Sequence, residues 1–425
     1  MQTTMIINKI TSGEYDELFL DIYGDLSKIK CQRQRYVDAI KCFEKHFGQQ
    51  EISIFSAPGR SEIGGNHTDH QNGKILAAAI NLDTIGVVQK VSDNMVQVVS
   101  DGYDEINIFL DELEFHEEEK ETTKALIKGV LAGMKEKRYK IGGFRVYITS
   151  DVLIGAGLSS SAAYETLIGT IVSGLYNEMS VRATEIAKIG QYAENTYFGK
   201  PCGLMDQMAC SVGNLVYVDF SNEKEPYVEK LSFDLYRNGY SLCITDTKGS
   251  HADLTNEYAA IPSEMKQVAN YFGKEILLGI TSEDIWRAIT SLRETVGDRG
   301  VLRALHFVLE NERVQNQVEA LKMGNVDMFL QNVKESGNSS YKYLQNVYSN
   351  QNVAHQNLSV ALAFSDLFLG GRGVSRVHGG GFAGTIQAFV LNEEVEAYKK
   401  YMNAIFGEGA CTDLKIRKYG GMKVI

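Results

Sequence analysis

The sequence predicts an α+β protein of two domains, and three observations carry that prediction. At 425 residues the chain exceeds one ordinary hydrophobic core, and 44% hydrophobic with 23% charged residues is the composition of a folded chain. Runs with the period-two pattern of strands, such as Ile75 to Val88, Met95 to Ser100 and Phe144 to Thr149, are interspersed with stretches of helical period after Thr122 and after Ser161. Between the last strand run and the last of those helices lies Gly155-Ala-Gly-Leu-Ser-Ser-Ser-Ala-Ala163, a stretch of small and hydroxylated residues at a strand-to-helix handover.

Taken in order, residues 1–45 read as an amphipathic helical extension that ends at Phe47-Gly48. Residues 46–220 form the expected first domain. It opens with a short strand around Ile52 and Ile54, followed by a glycine-broken loop from Ser56 to His70, and it closes with a strand from Leu215 to Phe220. The charged segment Ser221 to Lys230 is the expected junction, and residues 221–425 form the second domain, with long helical segments from Glu264 to Leu369 and a strand from Thr385 to Val390. No internal repeat is visible.

Composition narrows the function. A net charge of −11 without a clustered basic face excludes a nucleic-acid surface, and the run Glu117, Glu118, Glu119 with Glu121 reads as a solvated helix face. Cys31, Cys42, Cys202, Cys210, Cys243 and Cys411 are scattered with no Cys-x-x-Cys, so neither a zinc ribbon nor a disulfide framework is expected. A reducing cytoplasm fits, with no membrane partner, since no apolar run of about eighteen residues and no secretion-signal pattern occurs.

Three constellations carry chemistry. In the first, the opening N–H groups of a helix have no internal partners, and Gly155 and Gly157 hold no Cβ against a phosphate, so an anion suits this turn; a Ser-capped helix after a tight turn is the alternative. It is not a Walker loop, which needs Gly-Lys-Ser/Thr, and the literal Gly-x-Gly-x-x-Gly from Gly379 to Gly384 runs into a strand, which rules out a dinucleotide site there. The second joins Arg60 to Asn66, His67, Thr68, Asp69 and His70, polar groups dense enough to bind a polyol or an anion; a hydrogen-bonded loop and a metal held by His67, Asp69 and His70 stand beside that reading. In the third, Tyr192-Ala-Glu-Asn195 precedes Pro201-Cys-Gly-Leu-Met-Asp-Gln207, where Asp206 either caps a helix or turns its carboxylate into a cleft.

The loop from Pro58 to Gly73, the Gly155–Ala163 stretch, the Pro201–Gln207 run and the late stretch Gly379 to Gly384 resemble, in that order, the signatures of the GHMP small-molecule kinases, and His67-Thr68-Asp69 with Met205-Asp206-Gln207 narrows the resemblance to the galactokinases. It implies a two-domain GHMP kinase fold with the active site in the cleft between the domains, and ATP-dependent phosphorylation of the anomeric hydroxyl of galactose. Gly155, Ala156, Gly157, Leu158, Ser159 and Ser160 are then expected on the nucleotide, and Ser161 and Glu194 on Mg²⁺. The same resemblance implies Asp206 as the base, Arg60 as stabiliser of the transferring phosphoryl group, and Asn66, His67, Asp69, Gly203 and Tyr258 on the sugar.

The sequence departs from that family at several positions. Asn66 replaces the usual Glu at the C6 contact and His70 the usual Tyr; aromatic residues near the adenine are absent from Thr122 to Leu126; His378 and Ala383 replace Thr and Gly in the late stretch. A neutral Asn66 leaves open a kinase for a C6-modified hexose such as galacturonate, whose kinases share the string Asp69-His70-Gln71. A sugar sensor without turnover is the reading from another class, and the unbroken Ser159 to Ala163 together with Asp206 stands against it.

Overall fold

The computed structural model describes residues 1–152, 157–222, 224–249, 254–351, 353–382 and 384–425. Among them twelve strands form two sheets. In chain order they are β1 Ser53–Gly64, β2 Lys74–Lys90, β3 Met95–Ser100, β4 Ile106–Phe109, β5 Phe144–Ser150, β6 Leu215–Asp219, β7 Tyr227–Leu231, β8 Tyr240–Asp246, β9 Val374–Val377, β10 Thr385–Leu391, β11 Cys411–Leu414 and β12 Met422–Lys423.

The larger sheet has the order β12-β1-β2-β5-β3-β4, with β6 pairing the first half of β2 and β7 pairing β6. Every pair in it is antiparallel except β3 with β5. β2 is long and buried along almost its whole length, so both its faces need cover. Alternation supplies it. Phe55, Val88 and Val146 face the helices Thr123–Glu136 and Ser160–Tyr176 through Val130, Leu167 and Ile171. Their neighbours Ile54, Val87 and Tyr147 point the other way, into Phe19, Tyr36, Ile40 and Phe43. Those residues belong to the helices Asp16–Tyr23 and Ile29–Phe47, which with Thr3–Ser12 account for most of the first 47 residues. A buried ion pair sits under this layer: the Asp83 carboxylate accepts from Arg417 Nη1 at 2.8 Å and from the Tyr23 hydroxyl at 2.9 Å.

The second sheet, β11-β8-β10-β9, is antiparallel throughout. One face packs on the helices Asn357–Leu369 and Val395–Phe406. The other shares a core with the first sheet, where Ile63, Leu76, Ala78 and Leu158 meet Leu242, Ile244, Val314 and Phe389. The sheets do not divide at residue 220: Tyr227–Leu231 turns back beside β6, and Met422–Lys423 returns to pair with β1. Among the described residues no helix is long and apolar enough to cross a membrane.

Candidate active site

Strand β1 does not end at Ser56 as its sequence suggests. It continues to Gly64, with register shifts between Pro58 and Arg60 and between Glu62 and Gly64. The bulges absorb a proline that donates nothing to the ladder and aim the next polar side chain inward. Arg60 is 5% exposed. Its Nε and Nη2 donate to the two carboxylate oxygens of Asp206 at 2.6 and 2.8 Å, and Nη1 donates to the Gly157 carbonyl.

Asp206 is the second residue of the helix Met205–Val212, whose N-cap is Leu204, so it is not a capping residue. Its Oδ2 also accepts from the Ser159 hydroxyl, while 31% of its side chain stays open. Enclosure by protein favours the neutral acid, but the Arg60 charge, its hydrogen bonds and the Ser159 hydroxyl outweigh that and hold the carboxyl below its ordinary range.

Ser159 takes left-handed angles, φ 55 and ψ 61, as N-cap of the helix Ser160–Tyr176. Gly157 precedes it at φ 67, and a Cβ there would lie 3.0 Å from Thr385 Oγ1 and 3.3 Å from His378 Nδ1, so the second sheet approaches this turn closely. Leu158 turns its side chain into the shared core, while its carbonyl accepts from the Arg60 backbone N–H at 3.2 Å. Ser160 lies half-buried in the first turn of the helix. Gly155 and Ala156 lie outside the described residues.

Glu194 stands on a π-helical turn, Ala193–Phe198, that prolongs the helix Ala183–Tyr192. The wider turn rotates its carboxylate toward the Gly157–Ser161 turn, where the Ser161 hydroxyl donates to Oε1 at 3.4 Å. Gln207 Nε2 holds the other oxygen at 2.9 Å and reaches Glu165 Oε2 at 3.1 Å. Burial, then the neighbouring Glu194 charge, push the Glu165 carboxyl well above its ordinary range. A hydroxyl and a carboxylate converging beside this turn are hard oxygen donors of the kind Mg²⁺ takes. Among the described residues no group of three or more His, Cys, Asp or Glu side chains is placed to hold a metal, His67, Asp69 and His70 included.

Around the Asn66–His70 loop the structure brings most of the residues expected on the sugar together. His67, at φ 57, donates from Nε2 to the Gly380 carbonyl at 3.0 Å. Burial, then His70, bring its imidazole down to about 3, so it is neutral. The Asp69 side chain rests on Gly203, where a Cβ would come 1.7 Å from Oδ2. Tyr258 packs edge-on against Phe382 and donates to the Gly381 carbonyl at 2.6 Å, which places it on the late glycine stretch.

Asn66 is different. It is 0% exposed, and its amide is engaged by protein on every side. Nδ2 donates to Glu62 Oε1 at 3.0 Å and to the Gly379 carbonyl at 2.8 Å; Oδ1 accepts from Ser340 Oγ at 3.2 Å and Asn346 Nδ2 at 2.8 Å. In this arrangement the amide has no capacity left for a C6 substituent. It ties the loop to the rest of the molecule.

Around it stands a layer that sequence reasoning missed. Arg376 Nη2 pairs with Glu62 Oε1 at 2.9 Å. Burial first of all raises the Glu62 carboxyl to about 7, against the pull of Arg376. From the helix Ile289–Met323, His306 Nε2 donates to the Asn66 carbonyl at 2.9 Å and Glu310 Oε1 accepts from the Gly65 N–H at 3.0 Å. One signal was available in the sequence: His306 and Glu310 stand four apart, on the face of that helix that also carries the apolar Val314 and Val318.

Two family models match the segments that carry Arg60, the Asn66–His70 loop, Ser159, Ser161, Glu194 and Asp206: the galactokinase galactose-binding signature matches residues 41–90, and the GHMP kinases N terminal domain matches residues 125–214. The chain is 31% identical over 362 residues to a galactokinase of Glaesserella parasuis serovar 5, covering 84% of this chain and 90% of that one. With a galactokinase of Clostridium tetani it shares 30% identity over 365 residues, covering 85% and 89%. The crystal structure of Lactococcus lactis galactokinase complexed with galactose superposes with a TM-score of 0.76 at 25% identity, covering 90% of this chain and 98% of the other. A mevalonate kinase, at 16% identity and a TM-score of 0.61, shares the fold.

Proposed function

We propose, for a chain that belongs to the galactokinase family of the GHMP kinases, that it transfers the γ-phosphoryl group of ATP to the anomeric hydroxyl of galactose at the Asp206 cluster. The observation that carries this reading is the joining of Arg60, Asp206 and Ser159 by direct hydrogen bonds at a glycine-serine turn beside the His67–Asp69 loop. Asp206 accepts the proton of the sugar hydroxyl as its oxygen bonds to phosphorus and the bond to the ADP oxygen breaks. A carboxylate held at low pKa is a weak base, which suffices, because in a loose transition state the nucleophile gives up its proton late. Arg60, fixed by Asp206 and the Gly157 carbonyl, places its positive charge between base and phosphate turn, where negative charge develops.

Ser161 and Glu194 would hold Mg²⁺, which would supply neutralisation of phosphate charge there. His67, Asp69 and Gly203 shape the sugar pocket, and Tyr258 buttresses the glycine stretch against it. Asn66 acts from behind by fixing the loop. Galactose is favoured over a uronate because the Asn66 amide is engaged by protein on every side, while the Asp69 carboxylate borders the loop. All six cysteines are free, in keeping with a cytoplasmic setting.

A coupled ADP-release assay across galactose, 6-deoxygalactose, galacturonate and glucose tests this. Turnover with galactose as the best substrate is expected. Galacturonate turned over faster than galactose would displace the sugar assignment, and stoichiometric binding of galactose without ADP release would displace the kinase itself.

A further inference from the structure

Glu194 meets Ser161 through one oxygen only, and a glutamate with three side-chain torsions does not hold such an orientation by itself. We propose that Gln207 is the positioning residue that turns Glu194 Oε1 toward the phosphate turn, and that Glu165 in turn fixes Gln207. The proposal rests on the reading of Ser161 and Glu194 as the Mg²⁺ ligands.

Gln207 is 0% exposed. Its amide nitrogen has two hydrogens and spends them on Glu194 Oε2 at 2.9 Å and Glu165 Oε2 at 3.1 Å. Flipping the amide would set its carbonyl oxygen against both carboxyl groups, so one orientation is selected. Lys200, a further polar neighbour of Glu194 beside the Cys202 thiol, stands 3.7 Å away with 65% of its side chain in solvent and holds it weakly.

Two further observations separate positioning from mere packing. Glu165 Oε1 and Gln207 Oε1 are buried and have no hydrogen-bond partner among the described residues. Leaving two oxygens unpaired in the interior is costly, so an apolar pair would serve stability better and these groups are kept for what their other atoms hold. Gln207 is also the residue after Asp206 on one short helix, about 100° further round it. The helix Met205–Val212 therefore presents the base to Arg60 on one side and grips the metal ligand on the other. A single rigid element sets the distance between proton acceptor and cation.

The test is Mn²⁺ binding in the presence of ADP, read by water-proton relaxation, with galactose affinity and thermal midpoint measured beside it. Gln207→Met keeps volume and removes the donors. It is expected to raise the half-saturating Mn²⁺ concentration about tenfold, the scale on which outer-shell partners act, with galactose affinity unchanged. Glu165→Gln keeps an oxygen for the Gln207 N–H and should bind Mn²⁺ like the parent, whereas Glu165→Met should weaken it several-fold. Glu194→Gln is the control. If it binds Mn²⁺ as the parent does, the ligand assignment fails and this inference with it. If Glu194→Gln weakens binding while Gln207→Met matches the parent, the assignment stands and the inference is overturned. Should Gln207→Met not fold, the Glu165 pair decides: parent-like binding by both variants overturns the proposal, and weakening by Glu165→Met alone supports it.

Discussion

Replacing Asn66 with Asp keeps the shape of the side chain but turns its two donated hydrogen bonds into contacts between acceptors. The Nδ2 group stands 3.0 and 3.2 Å from the Glu62 carboxylate oxygens and 2.8 Å from the Gly379 carbonyl, and an oxygen would inherit those distances. At an effective dielectric of 20, two like charges about 3 Å apart repel by roughly 5 kcal/mol, so the pair takes up a proton rather than ionise twice. Arg376, 2.9 Å from Glu62, offsets part of that repulsion. At least one buried acceptor stays unpaired, at about 1–3 kcal/mol. The expected loss of stability at pH 8 is about 3–5 kcal/mol, the range for disrupting a buried ionic network. The pair's proton is bound in the folded state and absent in the unfolded one at that pH, so the deficit should shrink as pH falls from 8 to 7, below which the parent's Glu62 takes up a proton as well. Urea unfolding at both values checks this. The companion measurement is kcat/KM for galactose, 6-deoxygalactose and galacturonate, whose ratios should stay within about threefold of the parent because the side chain does not face the sugar. A variant of parental stability that rejects galacturonate tenfold more strongly would refute the reasoning and return Asn66 to the sugar.

Three other outcomes are expected. Asp206→Asn should lower kcat by about 10²- to 10⁴-fold with a modest change in galactose affinity, measured by steady-state kinetics beside calorimetric titration; near-parental turnover removes Asp206 from the chemistry. Gly203→Ala places a Cβ 1.7 Å from Asp69 Oδ2, so galactose binding should weaken at least tenfold by titration while the thermal midpoint moves little. Glu310 is brought down from 4.5 to about 2, because Arg313, His306, Arg376 and the Ser336 hydroxyl outweigh burial. A depressed carboxyl contributes stability that is present above 4.5 and lost as pH falls through 2, about 3 kcal/mol for a shift of this size, so Glu310→Gln should be destabilised at pH 7 and show a flatter acid slope in urea unfolding between pH 5 and 3.

The parts of the fold that were legible in the sequence are those with a clean period. Met95–Ser100 was read residue for residue, and Phe144–Ser150 and Thr385–Leu391 within one, because their faces alternate or are buried as unbroken apolar runs. The passage of β1 through Pro58 and Gly59 was not, since a bulge looks like a loop when the partner strand is unknown. Part of the segment 221–230 was not legible as a strand for a related reason: a charged hairpin at a sheet edge has the composition of a linker. At the site, the string Asp206 and the turn Gly157–Ser161 announced themselves through residue type and spacing. The layer around Asn66 did not. His306, Glu310, Ser340, Asn346 and Arg376 come from distant segments to meet Asn66, Gly65 and Glu62, and what unites them is a shared buried location that only the tertiary structure supplies. Asn66 shows the converse, where matching a position to a contact overlooked the groups that surround it.

Strand β1, which carries Arg60, has β2 on one side within its own hairpin but obtains its other neighbour from Met422 and Lys423. Asp83, buried beneath, pairs with Arg35 of the N-terminal helical layer but gains its second arginine, Arg417, only late in the chain. During synthesis the larger sheet therefore emerges with an open edge, and it stays so while some two hundred residues of the second sheet and its helices are made. Contacts of such long sequence separation form slowly. The growing chain must spend that interval partly folded, and its exposed β1 edge is where a chaperone, or a second unfinished copy, would take hold.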